Sequence, residues 1–147
     1  MNLKYISIQQ AIAAQIQIIE DSGGLAGIKN QGLLESVLEH IQNDLYYPSF
    51  EGKLTHLVFS INKNHAFNDG NKRSSIALGS YFLLVNGFEY CIKKFTEDME
   101  NIAVYVADNI IDKDLLAQVI FSIINEDEYN ESLQLELIEV MTQATTT

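Results

Sequence analysis

Proline and cysteine are almost missing from the 147 residues: each occurs once, as Pro48 and Cys91. With one proline and eight glycines, little in the composition breaks helices, and the balance tilts towards an α-helical protein. A lone thiol builds no intramolecular disulfide framework, which suits a reducing compartment. Basic residues are scarce as well. Nine Lys and Arg stand against twenty Asp and Glu, a net charge of −11. A phosphate backbone needs a basic face to neutralise it, so no nucleic-acid partner is expected. No apolar run reaches the roughly 18–20 residues of a membrane span, and Met1-Asn2-Leu3-Lys4-Tyr5 does not open a signal-type leader. These absences predict a cytoplasmic protein with no membrane partner.

What is present suffices for one domain with a real core, since 47% of the residues are hydrophobic. The acid is unevenly spread. Residues 126–147 hold six acids and no Lys or Arg, and the remaining fourteen acids against nine bases leave the body at −5. A core over 1–125 and an acidic extension over 126–147, one helix with a frayed Thr145-Thr146-Thr147 end, follow as the expected division.

Along the chain, Leu3 to Ile6 has the pattern of a short edge strand. Ser7 and Gln10 form a capping-box pair before a helix over about 8–20, which Gly23-Gly24 stops. The Gly23–Asn30 stretch lacks phosphate-loop spacing and reads as a structural turn. Leu34, Val37, Leu38 and Ile41 mark a second helix over about 31–43. The aromatic segment Asp44–Gly52 reads as a loop that packs on the core, with a mobile flap near the cleft as the sharper alternative. Leu54, Leu57, Val58 and Ile61 give a third helix over 53–64, and a fourth over 71–85 is apolar on most faces and so predicted to be central. Gly79 would let a neighbour approach it closely. Phe88–Ile92 reads as a short strand or connector, Thr96 as the cap of a helix over 97–109, and Asp112 as the cap of one over 113–125.

The chemistry gathers between the third and fourth helices, in Asn64-His65-Ala66-Phe67-Asn68-Asp69-Gly70-Asn71-Lys72-Arg73. A polar loop opening straight into a helix offers unpaired N–H groups and a positive dipole end to an anion. Lys72 and Arg73 add two full charges there. Placed against the dipole, they cost stability unless an anion balances them. His65 is the candidate general base. Phe67 is expected to point inward and hold the loop to the core. Asp69 reads either as a helix cap or, preferred, as a ligand for Mg²⁺ that bridges phosphates. Gly70 permits the turn, and Asn71 either orients phosphate oxygens or caps the helix.

His65-Ala66-Phe67-Asn68-Asp69-Gly70-Asn71-Lys72-Arg73 resembles the H-x-F-x-[DN]-[AG]-N-K-R signature of the Doc (death-on-curing) branch of the Fic/Doc superfamily. Gly23-Gly24-Leu25-Ala26-Gly27 and Gln31-Gly32-Leu33-Leu34-Glu35-Ser36 resemble that family's first loop and second helix. The resemblance spans roughly residues 3–125. It implies a compact all-α helical bundle with the active-site loop between two central helices, leaving room for one or two very short strands.

Activity is implied by the same resemblance. AMP-transferring Fic proteins carry G-N-G-R-x-x-R, where this chain has Lys72 for the last small residue and Ile76 for the second arginine. Both departures are Doc-like. They imply that ATP binds reversed and gives its γ-phosphate to a Ser or Thr hydroxyl of a protein, with translation elongation factor Tu as the implied target. In that scheme His65 is the base, Asp69 holds Mg²⁺, and Gly70, Asn71, Lys72 and Arg73 bind the phosphates. A small antitoxin whose helix covers the cleft is the implied partner. AMP transfer and a catalytically silent binding module are the alternatives. Ser132-Leu133-Gln134-Leu135-Glu136 matches an inhibitory-helix pattern only in part, and Ile76 removes the arginine its glutamate would pair with. A lid formed by the acidic tail is a further reading.

Overall fold

The computed structural model describes residues 2–145. Its order is α1 (Ile8–Ser22), α2 (Gln31–His40), α3 (Phe50–Asn64), α4 (Asn71–Val85), a 3₁₀ turn (Glu89–Cys91), α5 (Ile92–Ala107), α6 (Lys113–Asn125) and α7 (Glu131–Thr145). The fold is an all-α bundle, as expected. Among the described residues the only β pairing is an isolated bridge between Ile28 and Phe67. α3 and α4 form the centre, with α5 and α6 packed on them and α1 and α2 against the other side.

Several boundaries follow from local chemistry. Ser7 and Gln10 close the capping box in both directions, at 3.1 and 2.9 Å, and Gly23 ends α1 at φ 80°. Asp112 caps α6 by accepting from the Leu115 N–H. Gly79 sits where an added Cβ would come within 2.8 Å of Phe95 Cζ and 3.0 Å of Val58 Cγ2, so α3, α4 and α5 meet closely there. α4 is central but not buried all round, since Leu84 is 49% exposed while Leu78, Phe82 and Leu83 are buried.

Other expectations are corrected. Leu3–Ile6 is not a strand: the Lys4 N–H and C=O pair instead with the side chain of Asn86 at the end of α4, at 2.8 and 3.0 Å. α2 stops at His40, short of residue 43. α3 begins at Phe50 because Ser49 caps it through the Gly52 N–H, so Gly52 lies within a helix rather than a loop. Phe88–Ile92 is no strand; the 3₁₀ turn leads directly into α5. Thr96 therefore caps nothing. It lies inside α5 and its hydroxyl donates to the Ile92 and Lys93 carbonyls.

The extension forms α7, whose Leu133 and Leu137 enter the main core, with Val140 and Met141 packed beside them. Tyr129 anchors it by donating to Asp98 on α5, with Lys94 over its ring. Thr146 and Thr147, part of the end expected to fray, lie outside the described residues.

Candidate active site

His65 closes α3 in the left-handed region, at φ 50° and ψ 48°. For a residue with a Cβ this costs roughly 1–2 kcal/mol. The turn sends Ala66 and Phe67 inward, each 1% exposed, and leaves His65 at the surface. Gly70 makes a second left-handed turn at φ 70° and starts α4. Between the two turns Asn71 locks the loop. Its Oδ1 accepts from the Phe67 N–H and its Nδ2 donates to the Phe67 carbonyl, both at 3.1 Å.

The glycine-rich connection between α1 and α2 braces the loop from outside. Lys29 and Asn30 N–H groups donate to the Ala66 carbonyl at 2.8 and 3.0 Å, and the Asn68 N–H donates to the Gly27 carbonyl at 3.0 Å. Gln15 of α1, 1% exposed, holds both segments: its Nε2 donates to the Asp69 carbonyl and its Oε1 accepts from the Gly27 N–H. Gly24 is required here. At φ 118°, an added Cβ would sit 2.7 Å from Asp69 Oδ2. The structural turn read from Gly23–Asn30 is thus the scaffold of the loop.

The predicted residues converge. His65, Asp69, Gly70, Asn71, Lys72 and Arg73, joined by Asn68, line one cavity of about 390 Å³, whose remaining wall is Asn62 and Ala107. Phe67 does not line it and serves as the buried anchor. Gly70, not Asp69, is the N-cap of α4, and no side chain caps that helix. Its first N–H groups and roughly half a unit of positive dipole charge therefore lie open beside Lys72 and Arg73. Both cations are exposed, and neither side chain has an ion pair or hydrogen bond among the described residues. Arg73 is the only arginine in the chain.

Asp69 Oδ1 accepts from the Gly70 N–H at 2.9 Å and Oδ2 from the Leu25 N–H at 3.3 Å, leaving each oxygen a second lone pair. Among the described residues no group of three or more His, Cys, Asp and Glu is gathered to hold a metal alone. One carboxylate suits Mg²⁺ when phosphates and waters complete its shell, and the uncapped helix beside Asp69 fits those phosphates.

Two residues of the site, Gln15 and Asn62, were not singled out from the sequence. Each is a carboxamide on an apolar helix face, four residues after Ala11 and Val58 respectively. A polar residue in such a stripe is the signal that finds them. Two expected neighbours are elsewhere. The Asp44–Gly52 segment sits at the opposite end of α3 from His65 and contributes nothing to the cavity, because Tyr47 stacks on His56. No α7 residue lines the cavity either, so the described part of the tail does not cover it.

A second cavity of about 520 Å³ continues from the first between α4 and α5. It shares Lys72 and Arg73, and Ile76, Ala77 and Val104 give it an apolar wall. No helix of the described residues is long and apolar enough to cross a membrane.

The chain is similar in sequence to known proteins. A model of the Fic/DOC family matches residues 5–83, the stretch from the start of the chain through the loop and most of α4. Protein kinase doc of Escherichia phage P1 is 32% identical over 91 residues, covering 59% of this chain and 71% of that protein. Toxin Doc of Mycolicibacterium smegmatis (strain ATCC 700084 / mc(2)155) is 31% identical over 99 residues, covering 65% of this chain and 76% of that protein. The chain belongs to the Fic/DOC family, on its Doc branch.

Proposed function

We propose that this protein is a Doc-like toxin that transfers the γ-phosphate of ATP to a Ser or Thr hydroxyl of a protein. One observation carries the reading: an uncapped helix N-terminus and two unpaired cations share a cavity with an exposed histidine and a carboxylate. His65 takes the proton of the attacking hydroxyl. The oxygen forms its bond to the γ-phosphorus as the bond from that phosphorus to the β,γ-bridging oxygen breaks, and that electron pair leaves with ADP. Lys72, Arg73 and the first N–H groups of α4 meet the charge spread over the transferring group. Mg²⁺ held by Asp69 would supply further charge neutralisation on the nucleotide. Asn71, committed to Phe67, keeps the loop in shape under this charge.

Lys72 favours phosphate over AMP transfer, since it fills the position that AMP transferases keep small, and Ile76 offers no second arginine. The name of the phage P1 relative, a protein kinase, is consistent with that choice. Elongation factor Tu is the first target to test. We take the groove between α4 and α5 as the place where a masking antitoxin helix would lie.

The test is incubation of the purified chain with Mg²⁺, a cell lysate and ATP labelled at the α or the γ position. A protein band labelled only from γ, and lost in His65→Ala by about 10²- to 10⁴-fold, supports the proposal. Label from α replaces it with AMP transfer. No label from either leaves a binding module.

A further inference from the structure

Asn62 lies in α3, one turn before His65, and is 1% exposed. It lines the same cavity. Its Nδ2 donates to the Ala103 carbonyl of α5 at 2.9 Å, which fixes the orientation of the amide. Its Oδ1 is buried and has no partner. A buried acceptor without a donor is uncommon and calls for an explanation.

The next residue makes this end of the helix rigid. Lys63 Nζ reaches the Ala107 carbonyl and the Asn109 side chain, tying α3 to the end of α5. In the same cavity, the exposed His65 ring has no hydrogen bond among the described residues, so it and Asn62 Oδ1 are not bonded in this structure and a turn of the His65 side chain would have to bring them together. A neutral imidazole carries one N–H, and the partner of that N–H decides which nitrogen keeps the free lone pair. Other acceptors near the loop carry partners of their own, although each Asp69 oxygen keeps a second lone pair and the exposed Asn68 Oδ1 lines the same cavity. Both Asp69 oxygens take backbone N–H groups, the Asn71 amide is bound to Phe67, and the Ala107 carbonyl takes Lys63.

We propose that Asn62 is the positioning residue of His65: its Oδ1 accepts the imidazole Nδ1–H, so that the Nε2 lone pair is presented to the substrate hydroxyl. The inference rests on His65 acting as the base in the proposed transfer. It adds a built-in choice of tautomer, supplied by a buried amide whose other end is anchored in α5.

The experiment is long-range proton–nitrogen NMR of the histidine side chains in the full ¹⁵N-labelled chain, which needs no substrate. Wild type is expected to hold His65 mainly as the Nδ1–H tautomer. Asn62→Leu is expected to lose it, and its kcat to fall about 10- to 100-fold with the KM for ATP unchanged. Nε2–H as the dominant form in wild type overturns the inference, as does an unchanged Nδ1–H population in Asn62→Leu. Should Asn62→Leu fail to fold, Asn62→Ala is read in its place, and an unchanged Nδ1–H population there overturns the inference. A chain that shows the tautomer switch but transfers no phosphate keeps this inference and overturns the proposed reaction. A chain that transfers phosphate without the switch does the reverse.

Discussion

The two ends of α3 carry the same kinds of residue and use them in opposite ways. They lie about 22 Å apart, at roughly 1.5 Å per residue. At the N-terminal end, Lys53 is fully buried, and its Nζ donates to the Ile41 carbonyl at 2.6 Å and to Asp44 at 2.7 Å. The hydrogen bond from Lys53, and then its charge, hold the Asp44 carboxyl below its ordinary range. His56 stacks on Tyr47, and its Nδ1 lies 2.9 Å from Lys113 Nζ. Burial first, then the charges of Lys113 and His40, push its pKa down to about 4. Beyond the C-terminal end, His65 and, at the start of α4, Lys72 and Arg73 are exposed, and their side chains have no hydrogen bond or ion pair among the described residues. Committed charges build the fold; the uncommitted ones lie beside an uncapped helix, where the proposed function puts phosphate.

The comparison is broken or sharpened most strongly through His56. Between pH 6.5 and about 4 the unfolded chain binds a proton at this residue and the folded chain does not. Its contribution is therefore complete above pH 6.5 and is lost as the pH falls towards 4. The loss is roughly 2–3 kcal/mol, discounted for partial exposure. Urea denaturation across this window is expected to show the decline in wild type and a flatter profile in His56→Phe. An equal decline in both would remove His56 as its source.

A smaller effect is expected from Lys53→Met, which leaves the Ile41 carbonyl without its donor and costs about 1–3 kcal/mol. Transfer per folded molecule should stay at the wild-type level, measured with γ-labelled ATP. Loss of activity beyond loss of fold would join the two ends that the geometry keeps apart.

The smallest effect has the opposite sign. His65→Gly relieves a left-handed residue and is expected to raise stability by about 1 kcal/mol while abolishing transfer. A stability gain from deleting a site residue is the pattern of a position held for function. A loss would mean that the His65 ring supports the fold.

Much of this was legible in the chain itself. The helices over 71–85 and 113–125 were bounded correctly because an apolar run ended at Asn86-Gly87 in one and began after the cap Asp112 in the other. The loop from His65 to Arg73 declared itself by residue type, because polar and charged groups broke into two apolar runs. Thr96 misled because a hydroxyl that caps helices also bonds back within them, and only the 3₁₀ turn from Glu89 settles which. Leu3–Ile6 misled because the partner of its backbone is a side chain 82 residues away.

The sequence alone determined the helical class, the central place of the motif loop and the residue types in it. Periodicity and turn chemistry are local, and a nine-residue signature is read without knowing its surroundings. The tertiary structure alone decided that Gln15 and Gly24 shape Asp69, that Asn62 lines the same cavity as His65, and that the Asp44–Gly52 segment and the described part of α7 lie away from it. Those relations depend on which helix faces pack together, and a side chain and the backbone carbonyl it meets 41 or 54 positions away have no spacing from which to read a contact.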